Sequence, residues 1–188
     1  GYKKSLKLQK MISDNSEFFQ YLKFANKLSV WDYPVFHQSG LFQLYSSSSI
    51  KVSPKLLICF TGDLGQLNMP IPVFHSVAKE YFDGIAYFFC PDKDRYQKNY
   101  LNVMTSIGLL LKLNTWSKIS LLGTSGGGTM PLKLNNVPSD FKKLVTSPPI
   151  LEDPLVVDLI KKQDFKNLRN TRIFFTAAHK FDFKHYKF

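Results

Sequence analysis

Leu121-Leu122-Gly123-Thr124-Ser125-Gly126-Gly127-Gly128 crowds four glycines around a single serine, directly after the apolar run that begins at Lys118. The run Lys118 to Leu122 predicts a strand ending at Gly123, so the chain must reverse sharply there. Three glycine-rich turns compete for that place. A phosphate-binding loop would continue from Gly128 with Lys and then Ser or Thr, but Thr129 and Met130 follow. A dinucleotide fingerprint G-x-G-x-x-G finds no register, because Pro131 falls where its last glycine belongs. The pattern G-x-S-x-G fits at residues 123–127 without exception. In that turn a serine sits on a strained strand-to-helix bend whose neighbours must lack bulk, which explains Gly123 and Gly127. A plain glycine turn with a capping serine is the simpler alternative.

Outward from this turn the chain alternates between two patterns. Lys55 to Thr61, Gly84 to Cys90, Phe141 to Val145 and Thr171 to Thr176 read as further strands. Val73 to Phe82, Tyr100 to Leu113 and Leu155 to Lys162 read as helices. A short strand is expected at Leu41 to Tyr45, before the loop-like Ser46-Ser47-Ser48-Ser49. Strand runs that are apolar on both faces and separated by helices predict a mostly parallel sheet covered on both sides, a three-layer α/β/α architecture. Residues 1–40 are expected to form a helical extension packed on it, with a helical stripe at Glu17 to Phe24 capped by Ser13, Asp14 or Ser16. At 188 residues the chain suits one domain, 1–188.

Ligands of such sheets bind beyond the carboxyl ends of the strands, which brings Ser125 forward as the candidate nucleophile. The backbone N–H of Gly126 would face the developing oxyanion, and a second donor would come from Gly62 or Asp63 after the strand at 55–61. A serine hydroxyl needs a base and an acid that orients it, and in this arrangement they follow in the order acid, then histidine. Only His179 and His185 follow Ser125. Asp182 lies a short loop beyond the last strand, and Asp182-Phe183-Lys184-His185 makes a D-x-x-H segment. That segment resembles the one in SGNH-type esterases, although Gly62-Asp63-Leu64 lacks the serine of their G-D-S block.

The segments Phe60-Thr61-Gly62, Met69 to Phe74, Tyr87 to Asp92 and Leu121 to Gly128 resemble a bacterial group of α/β-hydrolase-fold proteins linked to surface polysaccharides, which includes capsule O-acetyltransferases. The resemblance spans residues 55 to 188. It implies Ser125 as nucleophile and Asp182 as acid, with the histidine supplied by a further strand and loop. The sequence stops at Phe188, so either His185 serves as base or a truncated C-terminus has removed it. The expected activity is a serine acyl hydrolase or O-acyltransferase acting on a small-molecule or glycan ester. A catalytically inactive hydrolase-fold module that binds a glycan or a protein is the alternative.

The formal charge of +11 favours an anionic partner, such as an acidic glycan or an acyl-CoA thioester as acyl donor; no other cofactor is expected. A Lys-rich solvated surface explains the charge equally well. No nucleic-acid motif accompanies it, so nucleic acid is disfavoured. Cys59 and Cys90 sit in apolar runs and read as buried thiols, and the histidines His37, His75, His179 and His185 are scattered, which disfavours a metal site. The longest apolar runs are of strand length, well short of the roughly 20 residues of a transmembrane helix. No signal sequence is recognised, and a cytoplasmic location is expected.

Overall fold

The computed structural model describes residues 35–38, 42–47, 52–62, 65–90, 94, 96–134, 141–146, 148, 153–161 and 170–174. Seven strands form one sheet: β1 (Val35–Gln38), β2 (Phe42–Ser46), β3 (Lys55–Phe60), β4 (Gly84–Phe88), β5 (Lys118–Thr124), β6 (Lys142–Thr146) and β7 (Thr171–Phe174), in the order β1-β2-β4-β3-β5-β6-β7. Strands β4, β3, β5, β6 and β7 are mutually parallel, while β1 and β2 add an antiparallel edge. The expected α/β sheet is therefore present. The antiparallel hairpin corrects one detail, since Val35–Gln38 is a strand inside the stretch read as helical. The stripe at 17–24 lies outside the described residues.

Helix α1 (Ile71–Ala78) covers one face, and α2 (Tyr100–Lys112), α3 (Thr129–Lys133) and α4 (Pro154–Lys161) lie towards the other. The alternation within each strand divides the core accordingly. Leu56, Ile58, Phe60, Phe88 and Leu121 meet Val103, Ile107 and Leu110 of α2 on the first face. Leu57, Cys59, Ile85, Tyr87 and Leu122 meet Ala78 of α1 on the second. Cys59 and Cys90 are free and buried, as their apolar surroundings predict. Among the described residues no helix is long and apolar enough to cross a membrane.

Two buried lysines lie on the α2 side. Lys133, at the end of α3, places Nζ 2.8 Å from the Asp153 carboxylate, and both side chains are essentially inaccessible. The other oxygen of Asp153 accepts the N–H groups of Leu155 and Val156 at 3.2 and 3.4 Å, so one carboxylate both neutralises α3 and caps α4. Lys143 turns inward from β6 and donates to the Leu134 carbonyl at 3.0 Å, and burial lowers its pKa to about 8.

Candidate active site

Strand β5 ends in extended backbone at Thr124, and the next residue bends the chain into a single 3-10 turn, Ser125–Gly128, that leads into α3. Ser125 has φ +50°, a left-handed conformation that L-residues other than Asn and Asp seldom adopt. It is the one exposed residue in the run from Leu121 to Leu134. A strained bend thus lifts its side chain out of a buried strand end, the presentation a nucleophile needs.

The glycines around it answer to contacts rather than to flexibility. A Cβ on Gly123 would stand 2.5 Å from the Gly127 carbonyl oxygen and 2.9 Å from the Pro131 ring. A Cβ on Gly127 would overlap the carbonyl oxygens of Phe60 and Thr61 at the end of β3. A Cβ on Gly62 would lie 3.1 Å from Cβ of Ser125. The turn and the end of β3 are packed backbone against backbone, which brings residues 61–62 beside the serine.

The loop after β3 is tied to the carboxyl ends of β5 and β6. The Gln66 carbonyl accepts the Thr124 hydroxyl at 3.1 Å, and Asn68 donates through Nδ2 to the Thr146 hydroxyl at 2.9 Å. Gln66 also receives the N–H of Gly62 at 3.0 Å, while Gly65 closes back on the Gly62 carbonyl at 2.9 Å. The Gly62 N–H is therefore engaged within its own loop, which corrects its choice as an oxyanion donor. Asp63, the other candidate, lies outside the described residues, as do Asp182 and His185. Gly126 sits buried directly after the serine.

Of the described histidine side chains, His75 is fully buried under α1, with Nδ1 3.0 Å from the Tyr87 hydroxyl and its ring against Tyr45. Burial lowers its pKa to about 4, so it is neutral at neutral pH, and its packing on Tyr45 and Tyr87 makes it part of the core. Among the described residues no three His, Cys, Asp or Glu side chains converge as metal ligands.

One residue that the sequence did not single out holds the end of β3 in place. Tyr96 follows β4, is 1% exposed and has φ +64°. Its hydroxyl lies 2.8 Å from the Phe88 carbonyl and 3.1 Å from the Thr61 carbonyl, the latter being one of the two oxygens packed on Gly127. Its N–H reaches Asp94 Oδ1 at 3.1 Å, and its ring meets Phe60 edge-on. Its only sequence signal was position, just past the carboxyl end of a strand. Replacing Tyr96 with Phe keeps the ring and removes the tether. Urea denaturation should show a loss of about 1–3 kcal/mol, the usual cost of abandoning buried hydrogen-bond partners; an unchanged midpoint would mean the tether carries no load.

No protein-family model and no curated protein sequence matches the chain. Among solved structures, poly(aspartic acid) hydrolase-1 from Sphingomonas sp. KT-1 superposes with a TM-score of 0.56 at 12% identity, over 82% of this chain and 75% of that one. LpqC, a poly(3-hydroxybutyrate) depolymerase from Bordetella parapertussis, gives 0.45 at 14% identity over 57% of this chain. The Pyrococcus furiosus esterase Pf2001 gives 0.45 at 17% identity over 66%. The chain spans 45% and 54% of the length of the latter two. At these identities the likeness is one of fold, the α/β-hydrolase fold.

Proposed function

We propose that this protein is a serine-dependent acyl hydrolase or O-acyltransferase with Ser125 as nucleophile. The observation that carries the proposal is the exposed, left-handed Ser125 in a turn whose flanking Gly123 and Gly127 have no room for a Cβ. A glycine turn with a capping serine needs neither the strain nor the exposure.

In the proposed reaction Ser125 Oγ attacks the ester carbonyl carbon while its proton passes to a histidine base, for which His185 oriented by Asp182 is the candidate. The negative charge that develops on the carbonyl oxygen is received by the Gly126 N–H, with Asp63 as second donor now that the Gly62 N–H is engaged with Gln66. The alcohol leaves with the proton, and an acyl group remains on Ser125. Water then completes a hydrolysis, or a sugar hydroxyl completes a transfer; an acyl-CoA thioester is a second candidate donor. The basic composition supports an anionic substrate such as a polysaccharide ester.

p-Nitrophenyl acetate tests the chemistry without knowledge of the natural substrate. Turnover by the unaltered protein should fall at least about 10³-fold in Ser125→Ala, as expected when a covalent nucleophile is removed. Equal turnover by the two proteins would exclude Ser125, and no turnover by either would favour the binding-module alternative.

A further inference from the structure

Thr124 fills the last position of β5, 2% exposed, immediately before the left-handed serine. A valine would take the same volume at this buried strand end and carry no polar group to satisfy. The hydroxyl that stands there instead donates to the Gln66 carbonyl at 3.1 Å. That carbonyl already receives the Gly62 N–H at 3.0 Å, so it has a donor without Thr124. What the threonine adds is a fixed distance between the loop after β3 and the strand end that carries Ser125.

Gly62 is the part of the loop that this distance places. A Cβ built on it would lie 3.1 Å from Ser125 Cβ and 3.7 Å from Ser125 Oγ, so the Gly62 backbone is a wall beside the serine side chain. The peptide unit that leads into Gly62 is held at both ends. Its carbonyl, from Thr61, accepts the Tyr96 hydroxyl at 3.1 Å, and its N–H is the one that Gln66 receives. Thr124 closes the circuit, from Tyr96 through that peptide and Gln66 back to the residue next to Ser125. Further along the loop a second tie repeats the device one strand over. Thr146 pairs with Thr124, and its hydroxyl accepts Asn68 Nδ2 at 2.9 Å. Asn68 has φ +64°, a conformation that asparagine tolerates better than most residues, and between the two ties Leu67 is buried in the α1-side core.

We propose that Thr124 and Asn68 are positioning residues for the chemistry at Ser125: by tying the loop to β5 and β6 they keep the Gly62 backbone against the serine side chain and so fix where Oγ points. The role rests on Ser125 being the nucleophile. A serine hydroxyl turns about a single bond, and its attack depends on Oγ meeting the carbonyl carbon and the base together; a misplacement of about 1 Å costs on the order of 10²-fold in rate. Thr124 adjoins Ser125 and shares its acceptor with Gly62, so its tie should matter more than the Asn68 tie, which lies two residues further along the loop.

The test combines p-nitrophenyl acetate turnover with the rate and the final extent of fluorophosphonate labelling. Thr124→Val should lower kcat and the labelling rate about tenfold or more, with KM within about threefold and labelling still reaching completion. A loss of folded protein would instead reduce the extent of labelling and leave the rate of the remainder unchanged. Thr124→Ser keeps the hydroxyl and should hold kcat within about threefold of the unaltered protein. Asn68→Gly keeps the left-handed backbone, removes only the exposed tie, and should lower kcat by about threefold to tenfold; it decides the matter where Thr124→Val does not fold. An unchanged kcat in a folded Thr124→Val, or in Asn68→Gly, would overturn the proposal. So would a Thr124→Ser that falls as far as Thr124→Val, since packing of the methyl group rather than the hydroxyl would then be the cause. No turnover by the unaltered protein would overturn the function proposed above and this role with it, so the two failures are read apart.

Discussion

Asp153→Ala is expected to cost about 3–5 kcal/mol of stability, the scale seen when one partner of a buried ion pair is removed. The carboxylate is fully buried against the Lys133 ammonium, so its loss leaves that charge desolvated without its counter-charge. The same change removes the acceptor for Leu155 and Val156 at the start of α4, which adds about 1 kcal/mol for a lost cap. Because α3 follows the serine turn directly, the damage should reach the site as well as the fold. Asp153→Asn retains the capping acceptor and should lose less. The double variant Lys133→Met, Asp153→Ala should recover part of the loss, because no buried charge then remains. Urea denaturation of the three variants checks this order; equal midpoints for Asp153→Ala and the unaltered protein would refute it.

Gly127→Ala should be among the most damaging glycine-to-alanine changes at the described residues. The added carbon would overlap two backbone oxygens, those of Phe60 and Thr61, and neither can move aside as a flexible side chain would. Relief requires the turn to separate from β3, which carries Ser125 away from residues 61–62. Overpacking of this kind costs about 1–3 kcal/mol, and more where backbone must shift. Loss of Ser125-dependent turnover should exceed the loss of stability. Gly108→Ala provides the contrast. That glycine lies exposed in α2 with nothing near a new Cβ, and alanine there should stabilise by about 0.5–1 kcal/mol through helix propensity. Thermal unfolding and esterase turnover of the two variants would separate a contact-bound glycine from an incidental one; equal behaviour would contradict the packing account.

The parts of the fold legible in the sequence were those written in local pattern. Runs such as Leu56 to Phe60 and Ile85 to Phe88 are apolar on both faces, and that alone indicates interior parallel strands. Val35–Gln38 escaped because four residues with His37 and Gln38 among them carry no such pattern, and the strand exists by pairing with β2. The serine turn was legible because its steric demand is met by glycines adjacent in sequence. The tether at Tyr96 was not, since it depends on carbonyl groups from two other strands that only the fold brings together. The same holds for Gly62, whose N–H looked available until the loop closed it on Gln66. Lys118, Lys142 and Arg172, far apart in sequence and merged in the total of +11, lie on one face of neighbouring strands only through the strand register.

The proposed reaction depends on an activated hydroxyl at Ser125. Intact-mass spectrometry after incubation with a fluorophosphonate tests it most directly, because the reagent reports an activated serine and needs no natural substrate. A single phosphonyl adduct is expected, mapped by peptide fragmentation to Ser125 and absent from Ser125→Ala. An unmodified protein, or an adduct that persists in Ser125→Ala, would contradict it.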